Sequence, residues 1–196
     1  GRGKRVLEDY FTPDRNFLQL LEKRNFGRRA KVLAKFYEMI DDGKVFFINQ
    51  SEPRGFGHAV LCAEPFIGSE PFLLHAGDDV IISNGSTHIN RMIKAFQEHD
   101  ADCVLLVEEV ENPKAYGVIT GKALDDLGHV LHVTDIMEKP EEPPSNLAVI
   151  AIYVFKPKIF DYLRKVRPDE HDEIQLTDAI KLMVSDGYNV LAVKLL

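Results

Sequence analysis

The chain has 196 residues, 45% of them hydrophobic and 28% charged, with a formal net charge of −7. That length and balance suit a single domain over residues 1–196 with a substantial core. The acidity removes the electrostatic footprint of a general nucleic-acid binder, and no apolar run reaches the ~20 residues a membrane span needs. Two isolated cysteines, Cys62 and Cys103, give neither a disulfide framework nor a zinc spacing. Both sit in apolar runs and read as buried thiols of a reducing, cytoplasmic setting.

Pro, Gly and Asp punctuate short elements. Gly1 to Lys4 reads as a loop, followed by a short helix over Val6–Phe11. Asn16–Lys23 and Arg29–Ile40 carry apolar residues at spacings of three and four, so both read as helices. Val45–Asn49 is a β-rich apolar run and reads as a strand. A helix over His58–Glu64 follows Gly55 and Gly57, and a buried strand over Phe72–Ala76 ends at Gly77-Asp78-Asp79. Thr87–Glu98 is an amphipathic helix with Ile89, Met92, Ile93 and Phe96 on one stripe, capped by Ser86 or Thr87. Cys103–Glu108 is the next strand.

After it the rhythm changes. Tyr116–Thr120, His129–Ile136 and Leu147–Phe155 read as strands joined by turns. Helices over Ile159–Lys165 and Glu173–Ser185 and a strand over Asn189–Leu195 complete the series. Strand–helix alternation in the first half predicts a parallel sheet with helices on both faces. The strand-rich middle predicts an antiparallel insertion or a mixed sheet. In such folds ligands sit beyond the C-terminal ends of parallel strands, which directs attention to the loops after Asn49 and Ala76.

Those loops carry chemistry-bearing residues. Gln50 offers a donor and an acceptor at one amide end, as reading a nucleobase edge requires, and Gly55 lets backbone approach a flat ring closely. The same stretch also fits an ordinary surface turn. Asp78-Asp79 supplies two hard carboxylates at a strand end, suited to Mg²⁺ shared with phosphate oxygens; Gly-Asp is equally common turn chemistry. In Glu138-Lys139-Pro140, Lys139 is a point charge able to hold a phosphate. His129 and His132 face opposite sides of a strand, which argues against a shared metal. The acidic run Asp169 to Glu173 reads as a solvated helix entrance. Hydrolase, zincin, P-loop and CxxC signatures are absent from the sequence.

Taken in order, "GRGKRVLEDYF", "QSEPRGFGHAVLCAEPFIGSEPF", "GDDVI", "YGVI", "MEKPEEPPSNLA" and "DEIQLTDAI" resemble the sugar-nucleotide pyrophosphorylases, a nucleotidyltransferase family. The branch they resemble most is the UTP–glucose-1-phosphate uridylyltransferases of bacteria and archaea. The match spans nearly the whole chain. It implies an α/β fold with a Rossmann-like mixed, mainly parallel sheet flanked by helices, of the nucleotide-diphospho-sugar transferase type. It implies that Gln50 and Gly55 read the pyrimidine and that Asp78 contacts the nucleotide's bound Mg²⁺. It further implies that Gly117 packs against the sugar, that Glu138 bonds sugar hydroxyls, and that Lys139 is the catalytic lysine holding the sugar phosphate. The implied partners are UTP or dTTP, glucose 1-phosphate and UDP-glucose, in a homo-oligomer, with no nucleic acid or membrane.

Three departures accompany the resemblance. The family's Gly-rich triphosphate loop and first strand would lie ahead of Gly1, and its second metal-binding aspartate would lie beyond Leu196. Where the family has Gly-Arg in the strand after Ser-Asn-Leu-Ala, this chain has Ala151-Ile152. Three other readings therefore stay open at this point: a thymidylyltransferase using dTTP, a glycosyltransferase with Asp78-Asp79 as its metal motif, and a non-catalytic nucleotide-sugar-binding module.

Overall fold

In the computed structural model, which describes residues 3–43, 45–82 and 87–196, the chain divides into two units, Gly1–Pro53 and Arg54–Leu196. The first unit holds three helices, α1 (Arg5–Tyr10), α2 (Arg15–Lys23) and α3 (Gly27–Asp42). Asp14 caps α2 by accepting the Phe17 N–H at 2.9 Å, which satisfies a donor the helix start leaves open. Asn25, at φ 60°, takes the left-handed conformation that turns the chain into α3. Tyr10, Phe11 and Phe36 form an aromatic cluster with ring centroids 5.5–5.8 Å apart. Within these helices only Ala30 and Tyr37 are buried.

The strand expected over Val45–Asn49 is not formed. Its backbone forms no part of a ladder, and Val45, Phe46, Phe47 and Ile48 are 38–64% exposed. Composition favours a strand there, but a strand exists only where a neighbour takes its N–H and C=O groups. No described strand pairs with this segment.

The second unit is built on a six-stranded sheet. Its elements are α4 (Phe56–Ile67), β1 (Phe72–His75), α5 (Thr87–Glu98), β2 (Cys103–Glu109), a 3-10 turn (Pro113–Ala115), β3 (Gly117–Ala123), β4 (Val130–Glu138), β5 (Leu147–Phe155), α6 (Ile159–Leu163), α7 (Leu176–Ser185) and β6 (Val190–Lys194). Strand order is β1-β5-β2-β6-β4-β3. Ser86, offered as a cap for α5, lies outside the described residues.

The sheet is mixed, as expected, but the expected mainly parallel, Rossmann-like arrangement is corrected to a mainly antiparallel one among the described strands. Among the described strands β2 and β6 run parallel, while β1–β5, β2–β5, β3–β4, β3–β5 and β4–β6 are antiparallel. The reason lies in β5. It returns between β1 and β2 and pairs antiparallel with both, so the strand–helix–strand run never brings β1 beside β2.

Period-two alternation divides the core cleanly. Cys103, Leu105 and Val107 of β2, with Val190 and Ala192 of β6, face one layer, packed with Phe160 and Leu163 of α6 and Ile180 and Met183 of α7. Val104, Leu106, Leu191 and Val193 face the other layer, against Met92, Ala95 and Phe96 of α5. Burial on both faces explains why β2 reads as a continuous apolar run. α7 starts three residues later than its apolar periodicity suggests. The Asp169 carboxylate accepts the N–H groups of His171 and Glu173 and the side-chain amide of Gln175, at 2.9–3.0 Å, and so holds residues 169–175 as a turn.

Candidate active site

A cavity of about 870 Å³ opens in the Arg54–Leu196 unit. The parallel pair β2 and β6 delivers Glu108 and Leu195 to its wall from their C-terminal ends. The turn after β1 contributes Ala76 to Ile82, and the first turn of α7 contributes Leu176 and Thr177, with Gln175 just ahead of them. This matches the general place of ligand crevices in open α/β sheets.

In the cavity lining, Gly117 and Glu138 are direct cross-strand partners at the start of β3 and the end of β4. A Cβ at Gly117 would stand 3.0 Å from Thr177 Cγ2 and 3.3 Å from Glu138 Oε2. The glycine therefore leaves room for the glutamate and for anything laid against β3. Thr177, 6% exposed, donates its hydroxyl to Glu138 Oε2 at 2.9 Å, which fixes that carboxylate on a buried support. The Lys139 ammonium lies 3.9 Å from Glu138 Oε1 with a side chain 65% exposed. Lys139 has φ 40°, a left-handed conformation that costs a non-glycine residue about 1 kcal/mol. Its N–H bonds the Tyr116 carbonyl at 3.0 Å, and Pro140 follows it.

The two adjacent aspartates that line the same cavity differ. Asp78 is exposed, whereas Asp79 is half-buried and accepts the Ala151 N–H at 2.8 Å. Ala151 and Ile152 are the two residues of β5 that have no partner on β2, where the register jumps between Leu105–Tyr153 and Leu106–Ile150. Asp79 thus supplies the acceptor for Ala151 on the β1 side, where the Ala76 carbonyl is occupied by the Asp79 N–H. Ile152 is fully buried against the α5 layer, so the Ala151-Ile152 departure serves packing. Tyr153 also lines the cavity. Burial, reinforced by Cys103, Glu138 and Asp79, pushes its phenol above the ordinary tyrosine range, so it stays neutral.

Asp78, Gly117, Glu138 and Lys139 therefore share one cavity. Gln50 belongs to the Gly1–Pro53 unit. Gly55 is the residue ahead of α4, at φ 86°, and a Cβ there would stand 2.9 Å from the Ile174 backbone. Close backbone contact with residues 173–174 accounts for a glycine at that position. Sequence reasoning missed Thr177, Tyr153 and Glu108 as lining residues. Only the α7 motif containing Thr177 carried a signal, through the resemblance.

The lining holds four carboxylates, Asp78, Asp79, Glu108 and Glu138, and one ammonium, Lys139. Among the described residues no three acidic, histidine or cysteine side chains converge on a metal position. An exposed single carboxylate in an acidic cavity still fits Mg²⁺, which takes one or two carboxylates and fills its shell from water and phosphate.

A family model described as "Nucleotidyl transferase" matches residues 23–195. This chain belongs to that nucleotidyl transferase family. Its relatives include a UTP–glucose-1-phosphate uridylyltransferase of Pseudomonas aeruginosa, 37% identical over 99% of this chain and 69% of the relative's length. Among solved structures, an apo UDP-glucose pyrophosphorylase superposes with a TM-score of 0.88 at 33% identity, covering 99% of this chain and 70% of the other. A UDP-glucose pyrophosphorylase complexed with UDP-glucose superposes with a TM-score of 0.84, also at 33% identity, covering 100% and 70%. The α/β fold of this nucleotidyl transferase chain is that of the pyrophosphorylase structures. No helix among its described residues is long and apolar enough to cross a membrane.

Proposed function

We propose that the chain carries the sugar-phosphate side of a uridylyltransferase site, forming UDP-glucose and pyrophosphate from UTP and glucose 1-phosphate. Family membership and the uridylyltransferase relatives support the reaction class, and favour UTP over the dTTP alternative. The match over residues 23–195 extends across both units, which supports reading 1–196 as one nucleotidyltransferase domain. The single observation that carries the site is that Gly117, Glu138, Lys139 and Thr177 line one cavity.

An oxygen of the sugar phosphate attacks the α-phosphorus of UTP, the α–β bridging bond breaks, and pyrophosphate leaves. No covalent enzyme intermediate is required, so positioning and charge stabilisation can supply the catalysis. Glu138, braced by Thr177, accepts hydrogen bonds from sugar hydroxyls. Gly117 leaves β3 open to the face of the sugar ring. The Lys139 ammonium orients the sugar phosphate and offsets its charge in a cavity whose other charged side chains are carboxylates. Gln50 and Gly55 are assigned to the pyrimidine. Asp78 would hold Mg²⁺, which when bound neutralises charge on the phosphoryl oxygens. A cytoplasmic setting agrees with the two unpaired thiols.

The test is pyrophosphate release from UTP and glucose 1-phosphate, with dTTP in parallel. Turnover with UTP above that with dTTP is expected. Release of free UDP from UDP-glucose, without pyrophosphate chemistry, would move the chain to the glycosyltransferases.

A further inference from the structure

The paired aspartates at the end of β1 are adjacent in sequence but not equivalent in structure. Every polar handle of Asp79 except one carboxylate oxygen is taken up locally. Its N–H bonds the Ala76 carbonyl at 3.2 Å, its carbonyl accepts from His75 Nε2 at 2.8 Å, and its Oδ2 accepts from Ala151 N–H at 2.8 Å. The return bond, from Ala76 N–H to the Ala151 carbonyl at 2.9 Å, closes a ring between the β1 turn and the β5 bulge. Asp78 sits inside that ring in sequence and is exposed.

We propose that Asp79 is a positioning residue: its carboxylate ties the Ala76–Asp79 turn to the β5 bulge and thereby sets the direction of Asp78, rather than serving as a second metal ligand. The inference rests on the reading that Asp78 would hold a divalent cation. The physical reason is economy of acceptors. The Ala151 N–H points with its own carbonyl toward the β1 side, where the Ala76 carbonyl is already taken by the Asp79 N–H, and a half-buried N–H needs an acceptor. Asp79 meets that need through a bond between residues 72 apart in the chain. Partners that orient a metal ligand change metal affinity about 10- to 100-fold when removed.

Asparagine keeps a carbonyl acceptor for Ala151 and removes the charge; alanine removes both. The full protein and its Asp78→Asn, Asp79→Asn and Asp79→Ala variants are titrated with Mn²⁺ in the presence of UDP-glucose, reading free Mn²⁺ by electron paramagnetic resonance. Exchange of the Ala151 amide is followed by NMR on the same four proteins. Asp78→Asn is expected to weaken Mn²⁺ binding about tenfold or more, with Ala151 still protected. Asp79→Asn should stay within about threefold of wild type and keep Ala151 protected. Asp79→Ala should weaken Mn²⁺ about tenfold and speed Ala151 exchange by at least that factor.

If Asp79→Asn loses as much affinity as Asp78→Asn, Asp79 is a ligand and the proposal is overturned. If Asp79→Ala frees the Ala151 amide but leaves Mn²⁺ affinity intact, the tie is structural only, which also overturns it. An unchanged affinity in Asp78→Asn removes the underlying metal reading, and the inference with it. That outcome is separable from the other two because it appears in a different variant.

Discussion

The two units of the chain stand at opposite ends of a burial scale. Gly1–Pro53 folds as three helices around an aromatic cluster, with apolar side chains such as Val32 (68%) and Phe46 (64%) exposed. Arg54–Leu196 encloses two continuous apolar layers on either side of one sheet. The contrast teaches that helical periodicity alone writes helices, whereas a binding wall needs a sheet. Gly117, Glu138 and Asp79 of the candidate cavity are each held by a partner on another element far away in sequence.

The largest expected effect sharpens this contrast directly. Phe155 is fully buried and packs on Tyr153 and Phe72 with ring centroids 5.4 and 5.7 Å away. Phe155→Ala should cost about 3–5 kcal/mol in urea unfolding, while Val32→Ala should stay within about 0.5 kcal/mol. Equal losses at both positions would break the comparison.

Next in size is Gly117→Ala. Its added methyl meets Thr177 and Glu138, so a loss of about 1–3 kcal/mol is expected. The KM for glucose 1-phosphate should rise while that for UTP changes little. A variant with wild-type sugar-phosphate kinetics would remove Gly117 from the site.

A smaller effect lies in the turn before α7. The Gln175 side-chain amide, followed by the Glu173 N–H, holds the Asp169 carboxyl below its ordinary range. A depressed carboxylate stabilises the fold above its unfolded pKa of about 3.9 and loses that contribution as pH falls through the lower folded value. Asp169→Asn should therefore melt below wild type at pH 7, and the gap should close below about pH 3.9. A gap that widens on acidification would contradict the assignment.

The smallest effect is on thiol reactivity. Burial, with Asp102 adding, raises the Cys103 thiol well above its ordinary value, and Cys62 is only part-buried. A thiol reagent should label Cys62 in the native protein and reach Cys103 only on unfolding. Early labelling of Cys103 would show that the sheet's core is open.

Much of this architecture was legible in the sequence where periodicity and burial agree. The ranges Thr87–Glu98 and Leu147–Phe155 are found as read, because one apolar stripe or one doubly buried strand fixes each. Val45–Asn49 failed because its β-rich composition finds no ladder partner among the described strands. Asp78, Gly117, Glu138 and Lys139 were recoverable as motifs, and the cavity collects them. The bracing by Thr177 and the tie from Asp79 to Ala151 were not recoverable. They join residues 39 and 72 positions apart, through a register and a bulge that no local pattern encodes.

The most direct test of the account is steady-state pyrophosphate release by wild type and Lys139→Ala with glucose 1-phosphate as the varied substrate. Loss of a charge-assisted contact to phosphate should raise that KM about tenfold or more, with the KM for UTP within about threefold. Unaltered glucose 1-phosphate affinity in Lys139→Ala would contradict the claim that this cavity is the sugar-phosphate site.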